Sequence, residues 1–134
     1  MKYLVLAALL FPATALAGPY DQAYAIITSD ATPSADPLLR PVIVNRVDGE
    51  SVPSSSYNKA VVPPGPHQVT LDLPPRKGFH VATQRTLELV ARPCMRYYVV
   101  AKLDTPVGQE WQPVVRSSEL IAECQRAFRS TETK

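Results

Sequence analysis

The sequence predicts a mainly β protein, a single small antiparallel β-sandwich of Ig-like or transthyretin-like kind, with a short C-terminal helix tied down by a disulfide. Three observations predict it. Of the 14 prolines in 134 residues, those from Pro33 to Pro113 interrupt the chain so often that no long helix fits before residue 117. Short runs rich in Val, Ile, Leu, Thr and Tyr lie between them, at spacings that suit a sandwich or barrel. Two cysteines, Cys94 and Cys124, stand about 30 residues apart without the spacing of a metal site or of a Cys-x-x-Cys redox motif.

Taken in order, Met1-Lys2, the apolar run Leu4 to Phe11 and the small-x-small triplet Ala15-Leu16-Ala17 predict a cleavable signal peptide over 1–17, cut before Gly18. The apolar stretch is shorter than the roughly 20 residues a spanning helix needs. No cysteine follows the cut for lipid attachment, and charges or prolines break every later apolar run, so no transmembrane anchor is expected in the mature chain. Residues 18–37 then give an N-terminal strand at Tyr24 to Thr28 and a Pro-rich loop, Ala31 to Pro37. The sandwich body with its helix follows over 38–129, and a frayed tail over 130–134.

Within the body, Val42 to Val47 reads as a strand entering the tight-turn dipeptide Asp48-Gly49. Ser51 to Asn58 reads as a loop. His67 to Leu73 alternates cleanly, with Val69, Leu71 and Leu73 on one side and Gln68, Thr70 and Asp72 on the other, so one face is buried and one wet. Thr86 to Ala91 repeats the pattern and suits pairing with it across the Pro74 to Gly78 turn. The more apolar Tyr97 to Leu103 predicts a central strand. Trp111 to Arg116 carries Pro113, which confines it to an edge or a bulge. Ser117 or Ser118 can then cap a short helix beginning at Glu119, with Leu120, Ile121, Cys124, Ala127 and Phe128 on one face, a strand over Ser118 to Phe128 being the other reading. A Cys94–Cys124 bridge would pin that helix to the start of the Tyr97 strand and stabilise the fold by roughly 3.6 kcal/mol.

The stretch Val47-Asp48-Gly49-Glu50, followed by Val62-Pro63-Pro64-Gly65-Pro66-His67-Gln68-Val69, resembles the PEGA-type and related carboxypeptidase-regulatory-like β-sandwich domains of exported bacterial proteins. In those domains a V-D-G hairpin precedes a P-G-x-H-x-V turn into a strand. The likeness covers about residues 42–73. It implies a sandwich fold and an accessory, surface or binding role, and it carries over no residue-specific function.

Charge and chemistry narrow the function classes. Of 14 Lys plus Arg, Lys2 leaves with the signal, and 13 against 12 Asp plus Glu leaves a mature net charge of +1. That gives no electrostatic case for nucleic acid. A local basic bias from Arg76 to Arg96 (Arg76, Lys77, Arg85, Arg92, Arg96) allows a polyanion-binding face, or a solvated strand and turn surface. His67 shares the parity of Val69 and Leu71, as a core-edge or turn-stabilising histidine would. His80 follows Gly78-Phe79 in a loop. The serines at 54–56 lack a Gly-x-Ser-x-Gly elbow, and five scattered glycines make no phosphate loop.

No catalytic, cofactor-binding or metal-binding set is therefore expected, and no cofactor. The expected protein is a periplasmic or secreted, non-catalytic binding or accessory subunit of the cell envelope, with an envelope protein as its partner. Its candidate contact residues are Tyr98, Trp111, Arg76, Lys77 and His80, with a core position for Trp111 beside the disulfide as the other reading. A small secreted inhibitor using the Ser51 to Asn58 or Arg76 to His80 loop is the alternative. A small hydrolase built on His80 and a loop serine is a third.

Overall fold

The structure, a computed structural model, describes residues 18, 20–30, 32, 34–53, 58–74, 83–106 and 110–132, with helix side chains as far as Phe128. Nine strands and one helix follow in order: β1 (Ala25–Ser29), β2 (Leu39–Arg40), β3 (Ile43–Val47), β4 (Glu50–Ser51), β5 (Lys59–Val62), β6 (Gly65–Leu73), β7 (Thr83–Ala91), β8 (Met95–Leu103), β9 (Trp111–Leu120) and α1 (Ala122–Glu132). They form two sheets packed as a sandwich.

In the first sheet β8 is central, as its apolar composition predicts. One side pairs along its whole length with β9; the other pairs in parallel with β1, from Ile26↔Arg96 to Ser29↔Val99, and then with β2. β5 lies outside β1, antiparallel to it. The second sheet runs β4-β3-β6-β7, all antiparallel. Its longest pairing is the β6–β7 hairpin, from Gly65↔Ala91 to Leu73↔Thr83, between the two runs whose alternation suggested it.

The alternation also sets the core. Val69, Leu71 and Leu73 of β6 meet Tyr97, Val99, Ala101 and Leu103 of β8 in one buried cluster with Ile27, Val44 and Trp111. Burying side chains of this size stabilises by about 1.5–3 kcal/mol each, so this interlayer is what holds the sheets face to face. A second, smaller cluster lies on the outside of the first sheet, where Tyr24, Ile26, Cys94, Ile121 and Cys124 pack with Ala23, Val61 and Phe128. There α1 covers β1 and β5. Cys94 and Cys124 are joined, with Cα atoms 5.3 Å apart. Cys94, at φ 58°, also donates its N–H to the Tyr24 carbonyl and accepts from Ile121 N–H. The bridge thus joins the entry to β1, the β7–β8 turn and the helix at one point.

The expected start of the helix is corrected. Residues 117–120 belong to β9, and α1 begins at Ala122. The serines pair with Tyr98 and Tyr97, and Glu119 with Arg96. A ladder of cross-strand bonds together with a tyrosine and an arginine closing on Glu119 outweighs the capping signal that the two serines offer to an isolated helix. Leu120 consequently stands 59% exposed on the strand instead of lying on the helix's buried face. The edge reading of Pro113 agrees with the fold, since β9 is an outermost strand. A bulge after Val115 leaves Arg116 without a partner in the ladder, and its guanidinium reaches Asp30 at 3.2 Å.

Candidate functional site

The two sheets meet differently at their two edges. Where β7 faces β9 the mouth is filled. Trp111 is 2% exposed, its indole N–H donates to Thr83 Oγ1 at 2.7 Å, and the Arg85 guanidinium lies 5.8 Å from the ring centroid. Trp111 is therefore a core residue at the end of the sandwich remote from the disulfide, paired with Leu103, and not a surface anchor. An indole at this position buries its large apolar body and still has a hydrogen-bond partner, which satisfies both halves of its chemistry.

At the opposite edge, β4 ends one sheet and β5 the other, and between them lies a groove of about 740 Å³. Val47, Val52 and Val62 line its depth, Tyr20 and Val61 its outer wall, and Asp48, Glu50, Lys59 and His67 stand around it. Two smaller hollows, of about 200 Å³ beside Arg116 and about 280 Å³ beside Asn45, offer less room.

One end of the groove is fixed by the Asp48 turn. Asp48 (φ 52°) and Gly49 (φ 84°) both take left-handed backbone, which suits a two-residue hairpin and favours Asp followed by Gly. The Asp48 carboxylate accepts from Gln68 N–H at 2.8 Å and meets His67 Nδ1 at 2.6 Å. The His67 Nε2–H donates to the Pro63 carbonyl at 2.6 Å. The Gln68 N–H, with His67 second, holds the Asp48 carboxyl below the ordinary carboxylate range. His67 is a turn-stabilising histidine, its side chain 8% exposed and both ring nitrogens engaged. Both ring nitrogens are thus held by the turn and by the protein's own backbone.

Just before β5, Asn58 borders the smaller hollow beside Asn45 and ties the two sheets together. Its side-chain oxygen accepts from Val44 N–H, and its amide nitrogen donates to Ser29 Oγ at 2.7 Å and to the Val42 carbonyl at 3.1 Å. One side chain, at φ 61°, therefore ties β1 of one sheet to β3 of the other. Left-handed backbone is tolerated better by Asn than by most residues, which fits it to this corner. Neither Asn58 nor the β5 strand is anticipated by the sequence reading. The signal available for them is the short run Ala60-Val61-Val62 stopped by Pro63-Pro64.

Of the expected contact residues, Tyr98 lies half-buried on the outer face of the first sheet, where its hydroxyl donates to Glu119 Oε1 at 2.6 Å beside Arg96 at 2.9 Å. The Tyr98 hydroxyl, followed by Arg96, holds the Glu119 carboxyl below its usual range. Arg76, Lys77 and His80, and the serines at 54–56, fall outside the described residues. Of the other basic side chains in that stretch, Arg85 joins Trp111 and Glu110 at the filled mouth, while Arg96 joins Glu119 on the outside of the other sheet. Among the described residues no three of His, Cys, Asp and Glu come together as metal ligands, and no helix is long and apolar enough to cross a membrane.

Neither the family models, nor the curated proteins, nor the solved structures compared with this chain match it.

Proposed function

We propose that this chain is an exported, non-catalytic binding protein of the bacterial cell envelope, periplasmic or secreted, acting as an accessory subunit through the groove between β4 and β5. The observation that carries the reading is that groove: apolar in depth, charged at its rim and placed where two sheet edges part, a favoured setting for recognition without turnover. Export is supported by the N-terminal charged, apolar and small-residue pattern and by the bonded cysteine pair, which oxidising compartments favour. The Asp48–His67 bond also brings the two halves of the regulatory-domain resemblance together in space, which supports an accessory role of the kind those domains have.

The test is affinity purification of tagged residues 18–134 from the native envelope fraction, with mass spectrometry of what is retained. A stoichiometric envelope protein, lost from the Lys59→Glu variant, is the expected result. Retention of nothing after gentle cross-linking removes the accessory reading and turns attention to a small ligand or an undetected activity.

A further inference from the structure

β5 is the last strand of its sheet. It pairs with β1 on one side, from Ala25↔Val62 to Thr28↔Lys59, and among the described residues its other side has no strand partner. A strand edge of this kind presents backbone donors and acceptors that proteins normally cover, twist away or guard with charge. Here it opens into the groove. The residues facing it alternate as a strand's surroundings should. Val62 lies inward with Val47 and Val52, Val61 and Tyr20 lie outward, and Lys59, at the start of the strand, is exposed.

Charge is distributed along the same line. Asp48 is tied through His67 to Pro63, immediately after Val62, so the Asp48-Gly49-Glu50 turn marks the end of the groove where β5 finishes. Lys59 marks the end where it begins. Neither Glu50 nor Lys59 has an ion-pair partner among the described residues. The groove therefore carries a free carboxylate on β4 toward one end and a free ammonium at the start of the four-residue β5.

We propose that the groove's occupant is an extended peptide segment that adds to the free edge of β5 as a further strand. Its alternate apolar side chains enter between the sheets onto Val47, Val52 and Val62. It carries a basic residue at the Glu50 end and an acidic one at the Lys59 end. Main-chain hydrogen bonds to β5 supply affinity, while the apolar and charged positions supply selection. The inference rests on the binding-protein reading above and names the chemistry of its partner.

The test uses residues 18–134 with their disulfide intact and a capped pentapeptide probe, Lys-Val-Thr-Val-Glu, at low salt, followed by amide NMR and hydrogen exchange. Amide shifts and slowed exchange confined to residues 59–62 are expected. Methylating the probe's backbone nitrogens on its pairing side should weaken binding at least about tenfold, since side chains are kept and only the ladder is lost. The Lys59→Glu variant, altered at an exposed position, should prefer Lys-Val-Thr-Val-Lys over the original probe, reversing the wild-type order.

Equal binding of the methylated probe, shifts centred away from β5, or no binding at about millimolar peptide each overturns the strand-addition proposal. So does protection of the β5 edge by self-association before any peptide is added. Retention of an envelope protein by both wild type and Lys59→Glu would leave the binding reading standing while removing the groove as its seat.

Discussion

Along β7 and β9 the sandwich is closed by side chains that reach across from sheet to sheet, while along β4 and β5 the sheets part around a groove. The filled mouth uses one large indole, engaged by a threonine hydroxyl and by a guanidinium. The open mouth is bounded at one end by the Asp48–His67–Pro63 chain, while Asn58, beside a smaller neighbouring hollow, ties β1 to β3. Two edges of one core can thus be made for different tasks, closure by packing on one side and closure by polar struts on the other.

The comparison is broken most severely at the filled mouth. Trp111→Ala should cost about 3–5 kcal/mol of folding free energy, because it leaves a cavity at the end of the core and frees the Thr83 hydroxyl. Denaturant titration at constant m-value measures it, and a loss below about 1 kcal/mol would mean that the indole does not close that edge.

Next comes the strut that ties β1 to β3 beside the open mouth. Asn58→Ala removes bonds to both sheets and places alanine in left-handed backbone, with an expected loss of about 1–3 kcal/mol. If the groove depends on that strut, hydrogen exchange should quicken in β5 more than in β7. Uniform quickening would deny the corner its local role.

The Asp48 turn at the groove's end should show a pH signature. Because the Gln68 N–H and then His67 depress the folded carboxyl of Asp48, its stabilisation is present above the unfolded carboxylate value, near 3.8. It is lost as pH falls through the lower folded value. The difference in Tm between wild type and Asp48→Asn should therefore shrink as the pH drops below about 4. A difference that grows on acidification would reverse the assigned sign. The smallest effect is at Arg85, whose side chain is 40% exposed and whose contact with Glu110 is 3.9 Å long. Arg85→Ala should cost less than about 1 kcal/mol, mainly from the indole face, and double-mutant comparison with Trp111→Phe measures the share.

Much of this architecture is legible in the chain because it follows from local periodicity. The alternation of Gln68 to Leu73 gives both the strand and its buried face, Asp48-Gly49 gives the hairpin, and Pro113 gives the edge. What eluded the sequence depends on partners distant in the chain. β5 is only four residues long and becomes a strand by pairing with β1. Asp48 and His67 meet across 19 positions, and Ser29 and Asn58 across 29. Ser117-Ser118-Glu119 carries a sound local signal for a helix start, yet Tyr97, Tyr98 and Arg96 offer the same residues a ladder and a hydrogen-bonded cluster. Trp111 could be placed at the surface or in the core until Thr83, 28 residues earlier, supplied its partner.

The parallel pairing of β1 with β8 has a consequence for the order of events as the chain is made. Ser29 finds Val99 only after seventy further residues have emerged, whereas β6 and β7 are neighbours in sequence and pair as soon as both exist. Bringing ends so far apart together costs loop entropy before any contact repays it, so such pairings form late. The hairpin sheet can therefore assemble while β1 waits, and the sheet that bears the groove edge on β5 is completed last.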